Sequence, residues 1–233
     1  MMRARFLIDV GSPDDPATRW TVDPGANAYA ALTDAFVRGL EAGRRGDAAD
    51  LASARAAYDS LARALRPRAD AGEAVDPGAT EFGKRTRVLA LELEGLVRTA
   101  AGDETGALER LGRAAALEDS MAFAFGPPFV DQPAHELLGE ALLAGHEPGR
   151  AAAEFRRALA RAPRRTRSLL GLARAAAAAG DSAAAATSYG ELVAIWHEAD
   201  AGLRGLDEAR RGAGAARDAS RAGDLLSTVV RHR

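Results

Sequence analysis

From Asn27 onward, apolar residues recur every three or four positions, the spacing of one face of a helix, and the runs break at recurring points. The breaks are Gly46-Asp47, Gly102-Asp103, Gly145-His146-Glu147-Pro148 and Gly180-Asp181. Glycine closes a helix because it adopts a left-handed φ at little cost, and aspartate caps the next helix or proline occupies its first position. This grammar predicts four helical hairpins, 27–45 with 48–66, 81–101 with 104–118, 133–144 with 148–162, and 166–179 with 182–199. Residues 203–230, interrupted by Gly212 and Gly214, predict one or two closing helices. Before Asn27 the pattern is different. Arg5 to Val10 reads as a lone edge strand or a tail, leading into a stretch rich in proline and glycine. The expected organisation is an extension or linker over 1–24, a degenerate first hairpin and loop over 25–80, repeats over 81–200, and capping helices over 201–233.

Composition strengthens the helical reading. The chain has 233 residues and is 47% hydrophobic, but 57 alanines supply about half of that fraction and aromatics only 5% of the chain. Alanine loses no side-chain entropy in a helix and lets backbones approach, whereas sandwiches and barrels rely on β-branched and aromatic residues. The expected class is all-α, a solenoid of helical hairpins. Cysteine is absent, which excludes disulfides, thiolate metal sites and cysteine nucleophiles.

Residues of the last two hairpins match at a spacing of 34: Gly139 with Ala173, Ala151 with Ala185, and Phe155 with Tyr189. Gly139, Ala151, Phe155, Ala158 and Pro163 occupy five places of one unit. The next supplies Ala173, Ala185 and Tyr189 but has Leu192 and His197 in the last two, and Gly95, Ala107 and Ala114 fit upstream with Leu111 at the aromatic place. The first hairpin is a weaker match, with Gly39 and Tyr58. This pattern resembles the tetratricopeptide repeat. Small residues would sit where helices cross and the larger one between hairpins, so that neighbours bury a core none could form alone. The segment from Pro133 to Glu140, with the arginine-rich helix after it, also resembles part of a group of bacterial repeat proteins, which implies a fold and no reaction.

One interval breaks the period. Ala107 to Ala151 is 44 residues, and the excess falls on 122–131, which holds Phe123, Phe125, Phe129 and a stiff Gly-Pro-Pro run. The phenylalanines either plug a wider gap between hairpins or line a groove for a ligand or peptide. The resemblance implies that the first helix of each unit faces a concave, peptide-binding surface, which would carry Glu92, Leu96, Glu136, Glu140, Leu143, Arg167, Leu170 and Arg174. Arg167 and Arg174, two turns apart, present forked donors to a carboxylate or phosphate, or pair with Glu136 and Glu140 on the neighbouring helix. No asparagine accompanies them, so a terminal-carboxylate clamp of the kind known in such repeats is not expected.

Arginine is densest from Arg150 to Arg174, where eight arginines face one acid, Glu154. Arg150, Arg157, Arg161 and Arg164 form a helical stripe pointing outward if Phe155 and Leu159 point inward. Nucleic acid is disfavoured as its partner, because stacking aromatics are missing from the stripe and the chain's net charge is −2. Phosphate loops, nucleophile elbows and metalloprotease motifs are absent from the sequence. Asp131 and His135, four apart, are the one pair suited to share an ion, against a capping aspartate beside a surface histidine. Glu92 with Glu94 and Glu136 with Glu140 read as solvated or salt-bridged. No run approaches the roughly 18 apolar residues of a membrane span. These readings converge on a cytoplasmic, non-catalytic module without cofactor or metal, binding a protein or peptide through Phe123, Phe125, Phe129, Glu136, Glu140, Arg167 and Arg174. The alternatives are a small-ligand or metal sensor, with its pocket between 122–131 and the helix at Pro133, and a structural homo-oligomer.

Overall fold

The computed structural model describes residues 2–9, 15–20, 23, 27–65, 80–122 and 132–214. The fold is all-α, with consecutive helices paired as hairpins, and no strand occurs among the described residues. Helix α1 spans Met2–Asp9, and a short 3-10 turn follows at Pro16–Arg19. α2 (Ala28–Arg45) packs with α3 (Ala48–Ala64), α4 (Glu81–Ala100) with α5 (Glu104–Asp119), and α8 (Thr166–Ala178) with α9 (Ser182–Ile195) as hairpins, while α6 (Ala134–Ala144) leads through a tight turn into α7 (Pro148–Arg161), which packs on α8. Residues 206–214 form α10. The chain divides into two compact units, Met1–Ala141 and Leu142–Arg233, with the boundary inside α6.

The tight turns between consecutive helices share one chemistry. At the four turns the amide of Asp47, Asp103, Glu147 or Asp181 donates to the carbonyl of Ala42, Arg98, Leu142 or Ala176, each at 2.9 Å, the long bond of a Schellman turn. The left-handed residue is Gly46, Gly102 or Gly180 in three of them, with φ of 73, 73 and 78°. In the fourth it is His146, φ 60°, rather than the adjacent Gly145 that the grammar favoured. The carboxylates of Asp47, Asp103 and Asp181 then accept the amides of Asp50, Gly106 and Ala184, while α7 starts on Pro148 instead.

In the first unit, α1 corrects the expectation of a strand or tail before Asn27. Ala4, Leu7 and Ile8 fall on one helical face and are buried, and Arg3 ties the helix down by donating to the Ala17 and Thr18 carbonyls and to Asp34. Gly39 of α2 admits Leu93 of α4, since a Cβ there would lie 2.5 Å from its Cδ2. Gly95 admits Leu111 of α5 in the same way.

The second unit shows how successive hairpins join. Phe155 of α7 is fully buried, and a Cβ on Gly171 of α8 would lie 2.3 Å from its ring. Tyr189 of α9 stands against Gly212 of α10, where a Cβ would lie 2.1 Å away. Both aromatics fill the gap to the next helix, as the repeat pattern requires, and each docks on a glycine. Gly212 is therefore a contact point inside a helix and not the interruption the sequence suggested. Leu169, Ala173, Ala176, Ala185, Leu192, Ala209 and Ala213 complete this core.

Candidate functional site

Phe123, Phe125, Phe129 and Asp131 lie outside the described residues. The residues on both sides of them are firmly held. Glu118 at the end of α5 accepts the Ala134 amide at 2.8 Å, and Asp119 meets His135 Nε2 at 3.0 Å, so two polar contacts join the flanks of the insertion. Met121 before it and Gln132 after it are buried. His135 is itself buried, which corrects its reading as a surface histidine.

A polar network runs from this base through the first unit. Arg44 donates to Glu41 Oε1 at 2.6 Å, to the Leu7 carbonyl at 3.3 Å and to Gln132 Oε1 at 3.4 Å, and Gln132 Nε2 donates to Glu136 Oε1 at 3.0 Å. Glu136 and Glu92 are fully buried. The expectation that Glu92 and Glu136 face solvent is thus corrected: both are fully buried, Glu136 within this network. Burying a carboxylate is costly unless it is hydrogen-bonded or paired, which the 132–136 segment provides for Glu136. Glu94 behaves as expected for a surface carboxylate, gathering Arg55, Arg87 and Arg110 at 3.0, 3.6 and 3.5 Å. Glu140 is half-buried.

Arg174 is engaged by its own chain. Its Nε and Nη2 donate to the two Glu208 oxygens at 2.9 and 2.6 Å, and the Tyr189 hydroxyl donates to Glu208 Oε1 at 2.8 Å. The bidentate arginine holds the Glu208 carboxyl below the usual carboxylate range. Burial, with the bond to Glu208, pushes the Tyr189 hydroxyl up to about 12. Glu208 was not singled out from sequence, although it lies 34 residues beyond Arg174, one repeat period, and so was open to discovery. Arg167 is half-buried near the start of α8.

The arginine stripe faces outward at Arg150 and Arg157, but Arg161 is half-buried and Arg164 lies beyond the helix, which corrects the expectation of one helical stripe through all four. Ala151, Ala152, Phe155 and Ala158 of α7 are buried, while Arg150, Arg156, Arg157 and Arg164 are exposed and Arg161 is half-buried. Arg164 adopts φ 63° in the turn between α7 and α8.

A cavity of about 240 Å³ lies in the first unit between α1, α2 and α3, with Arg3, Arg38, Glu41, Arg45, Asp50 and Ser53 in its wall. No residue of α6 is in its wall, and the pocket expected between 122–131 and that helix falls on residues outside the described ones. No group of three or more histidines or carboxylates placed to hold a metal ion occurs among the described residues, and no helix among them is long and apolar enough to cross a membrane. The chain matches no protein-family model, no curated protein and no solved structure.

Proposed function

We propose that the chain is a non-catalytic, tetratricopeptide-like scaffold that binds a segment of another protein. The observation that carries this reading is the repeated interlock in the second unit, where an aromatic of one hairpin docks on a glycine of the next helix at Phe155–Gly171 and again at Tyr189–Gly212. Proteins built this way spend their buried residues on neighbour-to-neighbour packing and leave extended outer faces for partners. The flanks of the insertion add support, because two polar contacts tie the end of α5 to the start of α6 on either side of it. Glu136 takes no part in binding; it belongs to the buried network.

The test is affinity capture with the wild-type chain beside a variant carrying Phe123→Ala, Phe125→Ala and Phe129→Ala. A reproducible partner set that the variant loses supports the reading. Identical sets from both chains remove the phenylalanines from the site, and no reproducible set from the wild type removes the scaffold.

A further inference from the structure

We propose that the outward face of α7, carrying Arg150 and Arg157 and followed by Arg164 in the turn after the helix, docks an acidic protein segment whose carboxylates meet Arg150 and Arg157 at a spacing of roughly 10 Å, the seven-residue rise of a helix. This rests on the scaffold reading and names the chemistry of its partner.

The face is made for exchange. The side chains of Arg150 and Arg157 are 64% and 63% exposed, and their ion pairs are with Glu147 and Glu154 three residues back on the same chain segment. The Arg150–Glu147 pair is of the exposed local kind that contributes little and gives way readily to a better-placed carboxylate, and the Arg157 guanidinium is as open to solvent. Arg156 and Arg164 pair with no carboxylate among the described residues. Between the arginines stand Ala153 and Ala160, both on the outer side of the helix, with nothing beyond a methyl group to hold off an approaching backbone. Arg164 keeps a left-handed φ of 63°, a conformation glycine adopts more easily, in the turn after the helix.

The charge of the unit agrees. Residues 142–233 carry 15 basic and 10 acidic side chains, against 16 and 23 in residues 1–141, so α7 belongs to a unit of net charge +5 within a chain of net charge −2. Arginine forks suit carboxylates, and every third residue of a polyproline II segment returns to the same side after roughly 9 Å, close to the spacing of Arg150 and Arg157. The exposed large hydrophobic side chains among the described residues, Phe6 and Trp20, both lie in the other unit, so the stripe lacks the stacking platforms of a nucleic-acid surface.

Fluorescence anisotropy with a labelled alanine–serine peptide carrying glutamate at every third position tests the proposal, from low salt to about 0.15 M. The wild type should bind saturably, and Arg150→Glu with Arg157→Glu should weaken binding about tenfold or more, while Arg113→Glu in the other unit leaves it unchanged. Arg164→Gly should raise the melting temperature and lower the affinity together, a combination that a purely structural arginine would not give. The proposal fails if the wild type shows no saturable binding, if the charge-reversed chain binds equally well, or if duplex DNA binds as tightly as the peptide. In affinity capture, a partner set shared by the wild type and the charge-reversed chain overturns the assignment to α7 and leaves the scaffold standing. An empty wild-type capture removes the scaffold itself.

Discussion

Replacing Gly171 by alanine sets two effects of opposite sign against each other. In an open helical position the change stabilises by about 0.5–1 kcal/mol, because glycine has more backbone freedom to lose on folding. At Gly171 the added Cβ would lie 2.3 Å from Cε1 and Cζ of Phe155, and that ring is fully buried with no exposed side to retreat to. Ordinary contact begins at 3.4 Å, so ring or helix must move by about an ångström. Overpacking of this kind costs typically about 1–3 kcal/mol, so Gly171→Ala should be net destabilising. At Gly190 of α9 and Gly112 of α5 a Cβ would meet nothing within 4 Å, and alanine there should raise stability by about 0.5–1 kcal/mol. Urea denaturation followed by circular dichroism measures all three, and fluorescence of Trp196, which borders the second unit's core, follows the changes at Gly171 and Gly190. For a chain of this size a change of 1 kcal/mol moves the melting temperature by roughly 2–4 °C. Phe155→Leu combined with Gly171→Ala should lose less than the sum of the two single changes, since the smaller side chain removes the overlap. Equal stabilisation by Gly171→Ala and Gly190→Ala, or strict additivity in the double variant, would refute the interlock.

His146→Gly should stabilise the chain by about 0.5–1 kcal/mol in thermal melts, because the exposed histidine holds a left-handed φ that glycine adopts without strain. Asp181→Ala should cost about 0.5–2 kcal/mol by leaving the Ala184 amide without its cap, read by the same melts. Because the folded pKa of Glu208 is depressed, its contribution is present above the ordinary carboxyl value of 4.5 and fades as pH falls below it. Arg174→Ala should therefore flatten the acid limb of a stability–pH curve. The folded pKa of Tyr189 is raised from 10.0 to about 12, so its contribution is full below pH 10 and is lost as pH climbs through that interval. Tyr189→Phe should weaken the alkaline decline.

The turns were legible because their chemistry is local. Glycine, aspartate and proline act within a few residues, and the helix ends fall within a few positions of where those residues place them. His146 was the exception, since Gly145 beside it carries the stronger signal and only the backbone path decides between them. Helix α1 was hidden for the opposite reason. The run Phe6-Leu7-Ile8-Asp9-Val10 favours a strand by local preference, and helix wins through partners far along the chain, Arg3 reaching Asp34 across 31 positions. Burial of Glu136 depends on Gln132, which receives Arg44 from 88 positions away, a distance no local pattern encodes. The outward turn of Arg150 and Arg157 was readable because Phe155 and the alanines of α7 fix the opposite face.

The aromatic-on-glycine joints have a mechanical consequence. Because Phe155 docks on Gly171 of α8 and Tyr189 on Gly212 of α10, further along the chain, tension applied at the C-terminal end of the second unit loads Tyr189–Gly212 before Phe155–Gly171. The response is a series of yields, and each repeat period of 34 residues that pulls out lengthens the tether by on the order of 120 Å at about 3.5 Å per residue.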